Sequence, residues 1–111
     1  MDCREERLAR NELLFRDLNE QVEFVAKPVR PVAQPSVYEF FCECSNVDCT
    51  LRLRLALATY EQVRSDSTQF IVAPGHELPE IEEVASRTGE YQVVRKQGEA
   101  AAMAAASDRR A

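Results

Sequence analysis

Leu8, Phe15 and Val22 recur at seven-residue intervals, and Leu18 and Val25 follow the last two by three. Residues 2–26 contain neither Gly nor Pro and are rich in Arg, Glu, Leu and Ala. This a/d spacing predicts a long amphipathic N-terminal helix. Asn11 takes the d position of the first heptad, and Leu14 widens the stripe. The stripe has two readings. It packs on this chain's own sheet. Alternatively it makes a coiled-coil-like contact with a second copy or another protein, through Leu8, Asn11, Phe15, Leu18 and Val22, with Asn11 fixing register.

Residues 27–36 carry Pro28, Pro31 and Pro35 and read as a semi-rigid linker. Residues 37–44 (VYEFFCEC) are rich in aromatic and strand-favouring types. After a polar turn, residues 50–55 (TLRLRL) alternate, with Leu51, Leu53 and Leu55 on one face and Arg52 and Arg54 on the other. These two strands form a hairpin. Residues 58–66 read as a short helix, 69–73 as a third strand stopped by Pro74-Gly75, 80–88 as an acidic helix and 91–95 as a last strand. The order predicts an α+β fold: a sheet of about four strands with two short helices and a zinc-ribbon-like hairpin tip, behind the long N-terminal helix. Residues 37–97 form the globular unit, and the alanine-rich residues 98–111 read as a flexible tail, a frayed helix or disorder.

Composition limits what this unit can be. The chain has 111 residues, 45% apolar, with no Trp, and the apolar share includes the alanine tail. Roughly 60 residues remain for a core, a size at which burial alone is marginal and a metal or partner chain is an attractive staple. No run of about 18 apolar residues is present, so no membrane span is expected. The first residues lack the apolar core of a secretory signal, which makes the cytoplasm the expected compartment. A net charge of −5 argues against sequence-independent binding to nucleic acid or anionic lipid.

The chemistry concentrates in the cysteines. Cys42, Cys44 and Cys49 form a Cys-x-Cys-x4-Cys cluster. Residues i and i+2 of a strand share a face, and a four-residue loop over 45–48 sets Cys44 opposite Cys49. Three thiols therefore converge at the hairpin tip. The chain's one histidine, His76, follows Pro74-Gly75 at the end of the third strand, within reach of the tip if that strand lies beside the hairpin. Cys42, Cys44, Cys49 and His76 are thus the expected ligands of one zinc ion per chain, in a closed, structural Cys3His site. Cys3 or Asp48 stands next in line should His76 not ligate. Other readings remain open: a Cys44–Cys49 disulfide, small buried thiols, or a turn histidine bonded to backbone. The same thiolates also suit a redox or metal sensor.

Enzyme signatures are missing. His76-Glu77 is adjacent and follows the cysteines, which breaks the zinc-deaminase pattern. HExxH, phosphate-cradling and dinucleotide motifs are absent, and the chain holds only three glycines. A cysteine nucleophile with His76 as base is conceivable, but three clustered thiols suit a metal better. No catalysis is expected.

Several segments together resemble a group of small uncharacterised bacterial proteins. They are Arg10-Asn11-Glu12, Phe15-Arg16 and Leu18-Asn19-Glu20; then Phe41-Cys42-Glu43-Cys44, Asp48-Cys49-Thr50 and Tyr60-Glu61; then Pro74-Gly75-His76-Glu77 and Tyr91-x-Val93-Val94. The resemblance covers about residues 4–96 and implies no activity and no catalytic residues. The expected function is a small regulator or adaptor acting by protein–protein interaction, with a structural zinc. The alternatives are the thiol sensor and a nucleic-acid-binding zinc module using Arg52, Arg54, Arg95 and Lys96.

Overall fold

A computed structural model describes residues 3–29, 37–46 and 48–108. Residues 30–36 of the expected linker and 109–111 of the expected tail lie outside them. The order is α1 (Cys3–Val29), β1 (Val37–Phe41), β2 (Arg52–Ala56), α2 (Leu57–Val63), β3 (Gln69–Val72), β4 (Glu82–Arg87), β5 (Gln92–Lys96) and α3 (Gly98–Ala106). The fold is α+β. In place of one sheet of about four strands there are two antiparallel sheets, β1-β2 and β3-β5-β4.

The hairpin register pairs Val37 with Ala56 and Phe41 with Arg52, so that Leu53 and Leu55 turn inward while Arg52 and Arg54 face solvent. Leu51, expected on the inner face, lies before β2 and is 47% exposed. At the tip the two sheets meet. The Glu43 amide donates to the Ile71 carbonyl at 2.7 Å, which sets the hairpin beside β3. Phe70, Ile71 and Val72 of β3 are fully buried, with Phe40, Leu57, Tyr60 and Val94 around them. In α2, Leu57, Tyr60 and Val63 recur at three-residue spacing and supply its inward face.

The segment expected as an acidic helix over 80–88 is a strand. Its Glu82 turns inward: one carboxylate oxygen accepts from the Leu78 amide at 2.8 Å, and the other pairs with Lys96, its ladder partner on β5. Pairing with β5 satisfies that strand's second edge and overrides the weak helical preference of the sequence. Ile81 of the expected helix face is buried, but Ala85, at the bulge between Val84 and Ser86, is exposed. The alanine-rich segment read as a flexible tail forms α3. Ala100 and Ala104 are buried, and their small side chains bring this helix onto α1 and β5.

The inward face of α1 is unusually polar. Ala9, Glu12, Phe15, Arg16, Asn19 and Glu23 are all buried. Arg16 donates to the carbonyls of Ser67 (2.7 Å) and Ala104 (3.0 Å), and its guanidinium lies 4.8 Å from the centre of the Phe70 ring. Lys96, 4.9 Å from the same ring, pairs with Glu12 as well as Glu82. Burial raises the Glu12 pKa to about 9; Lys96 opposes the rise and the Glu82 charge adds to it. A buried carboxyl is thereby held protonated at neutral pH.

Because folding lifts the Glu12 pKa from 4.5 to about 9, its contribution is complete below the ordinary value and is lost as pH climbs through that window. Glu12→Gln copies the protonated acid. Denaturant midpoints measured at pH 6 and pH 9 should fall with pH in the natural chain and fall less in Glu12→Gln; equal slopes would contradict the assignment.

Candidate metal centre

Two turns place the candidate ligands. The β1–β2 register, continued three residues past Phe41 and Arg52, arrives at Cys44 and Cys49, the facing pair expected from the spacing. The last ladder contact is the Cys42 amide to the Leu51 carbonyl at 3.2 Å. The chain then bends at Cys44-Ser45 and returns with the Cys49 amide donating to the Asn46 carbonyl at 3.0 Å. On the other side, the His76 amide donates to the Ala73 carbonyl at 3.0 Å, and Gly75 has φ +87°. Pro at the second and Gly at the third position suit a type II turn, which carries the imidazole from the end of β3 to the sulfurs.

Cys42, Cys44, Cys49 and His76 offer ligand atoms that all lie within 4.8 Å of one another. The His76 Nδ1 atom is 3.6 Å from the Cys42 sulfur and 3.8 Å from that of Cys49. A tetrahedral ion with metal–sulfur bonds of about 2.3 Å and a metal–nitrogen bond of about 2.0 Å has a sulfur–nitrogen edge of about 3.5 Å. The separations thus match a shared ion, and the imidazole faces the sulfurs through Nδ1. Cys42 and Cys44 are buried; Cys49 and His76 are half-buried. The Ala73 amide donates to the Cys42 sulfur at 3.1 Å, stabilising negative charge there.

A hydrogen bond with Cys42 pulls the Cys44 pKa down to about 5 against the effect of burial, and the same bond, with burial, pushes Cys42 up. A bound cation would take the place of the shared proton, since the thiolate is the ligating form.

Of the other residues singled out in the sequence, Cys3 and Asp48 are exposed and do not join the group. The helix stripe is distributed. Phe15 is buried and lies 6.4 Å from the Phe41 ring, centre to centre. Asn11 is half-buried and donates to the Ser45 carbonyl at 2.8 Å. Leu8 and Val22 are half-buried against the core clusters, and Leu18 is half-buried. Arg52 lies over Phe41, Arg95 near Asp66 and Glu83, and Lys96 is buried, so these cations occupy separate environments. Sequence reasoning missed Glu43, which is fully buried between two candidate ligands. It accepts from Asn19 (2.9 Å), Tyr60 (2.7 Å) and the Ile71 amide (2.9 Å). Its signal was an acidic residue set between two cysteines, whereas Glu39, the other glutamate of the expected strand, is exposed. Among the described residues, no helix is long and apolar enough to cross a membrane. No family model, curated protein or solved structure matches the chain.

The turn that carries His76 makes its own demand. A Cβ at Gly75 meets nothing within 4 Å, so Gly75→Ala acts through its left-handed backbone alone. The loss expected in denaturant unfolding is about 1–2 kcal/mol. Gly89→Ala, also open but without a positive φ, should be neutral or slightly stabilising.

Proposed function

We propose that this chain is a zinc protein whose Cys3His centre is structural, and that it acts by binding rather than by catalysis. The observation that carries the reading is the pair of sulfur–nitrogen separations, 3.6 and 3.8 Å. Three soft sulfurs and one imidazole are a donor set favoured by zinc. With four protein ligands no coordination position remains for water or substrate, so the ion contributes to folding. The hairpin tip would then act as a zinc-ribbon-like knuckle that gives three ligands, with the Pro74-Gly75 turn giving the fourth.

A regulatory or adaptor role through protein contact accompanies this reading. Its support is the outer side of α1, where Leu14 is 51% and Phe24 77% exposed. The expected contact residues Asn11 and Phe15 instead engage this chain's own hairpin. A sensor role has one observation in its favour, the partial exposure of Cys49 and His76 beside two buried sulfurs.

Protein purified without chelators should carry about one zinc per chain by elemental analysis. Cys44→Ser should lose most of it, and the cobalt-substituted natural chain should show the absorption of a tetrahedral thiolate site. Stripping the metal should lower the thermal midpoint. A metal-free protein that remains folded with the same midpoint would refute the proposal.

A further inference from the structure

The segment from Phe41 to Ser45 is gripped from one side by two asparagines of α1. Asn19 donates to the Phe41 carbonyl (2.8 Å) and accepts from the Phe41 amide (2.6 Å), so a side-chain amide continues the hairpin ladder where a neighbouring strand would lie. Asn11 donates to the Ser45 carbonyl (2.8 Å). The lengths agree. Eight residues of α-helix rise about 12 Å, and four residues of chain span at most about 13 Å, less where the segment bends at Cys44-Ser45. The helix therefore runs antiparallel to the segment, with its two amides at the segment's two ends. Midway, Asn19 also donates to the Glu43 carboxylate, whose own amide and second oxygen hold Ile71 of β3.

The residues left between these fixed points are Cys42 and Cys44, the two buried members of the sulfur cluster. Phe41, Glu43 and Ser45 are tied to α1 and β3, and the two intervening sulfurs lie with His76 and Cys49. The latter two are carried by short turns and sit nearer solvent. Preorganised ligands hold a metal more tightly than ligands that must be ordered on binding, and outer-shell hydrogen bonds set that preorganisation.

We infer that Asn11 and Asn19 are positioning residues of the metal centre: α1 splints the cysteine-bearing segment, and metal affinity depends on these two amides although neither touches the ion. The inference rests on the metal reading above and adds to it which residues outside the ligand set tune it.

The test compares the full-length natural chain with Asn19→Ala and Asn11→Ala. Zinc affinity is measured by competition with a chromophoric chelator, and the visible spectrum is recorded after cobalt substitution. Ala104→Gly, which weakens α3 without touching the segment, serves as the control for general loss of stability. Asn19→Ala should weaken zinc binding by about 10-fold to 100-fold; Asn11→Ala, with one bond lost, should fall at the lower end. Both should shift the cobalt bands, while Ala104→Gly leaves the bands in place. Should Asn19→Ala not fold, Asn11→Ala decides by itself, because that residue is half-buried and makes a single bond to the segment. Affinities equal to the control with unchanged bands would overturn this inference alone. A natural chain that takes up neither zinc nor cobalt would overturn the metal reading and this inference together.

Discussion

The carboxylate of Glu43 is the contact on which the arrangement of this small protein depends. It has no exposure to solvent, and a carboxylate in that position costs several kcal/mol unless its oxygens are satisfied. Asn19 of α1, Tyr60 of α2 and the backbone of Ile71 in β3 all donate to it. Three separate elements must therefore reach one point at the hairpin tip. Burial pushes its pKa above the usual carboxylate range while these donors pull it back. A group so placed penalises every alternative packing in which one donor is missing.

The same logic extends along α1. Arg64 links Glu20 of the helix to Asp108 beyond α3, at 3.2 and 3.0 Å, and Arg16 lies beside it under Phe70. The ring of Phe70 has Arg16 and Lys96 each within 5 Å of its centre, an arrangement in which aromatic π-density faces desolvated cations. With so few large apolar residues, the interior is closed by pairing charges. Such pairs add little net stability over a well-packed apolar core, but they specify which helix face meets which strand.

The convergence of the three sulfurs was legible because it is local, while the approach of His76 depended on β3 lying beside the hairpin. Hairpin register follows from residue spacing, and Pro74-Gly75 announces the turn that brings His76. The inward face of α1 was harder to read. The heptad of Leu8, Phe15 and Val22 does turn toward the core in part, but Glu12, Arg16 and Asn19 share that face, and their partners lie dozens of residues away. Nothing near them in sequence distinguishes a buried polar side chain from a solvated one. The strand at Glu82–Arg87 was hidden for the same reason: its inward glutamate makes sense only once Lys96 stands across from it. Asn11, expected to fix the register of a coiled-coil contact with a second copy or another protein, donates instead to the Ser45 carbonyl of this chain.

The unequal burial of the four candidate ligands gives the cluster a direction. Cys42 and Cys44 are shut off from solvent by the core, whereas Cys49 and His76 stand at the surface side. An ion arriving from water, or a chelator removing one, would approach through the outer pair. The turn-borne ligands would let go first while the inner sulfurs still held, so the lifetime of a bound state would be governed by how tightly two short turns are wound.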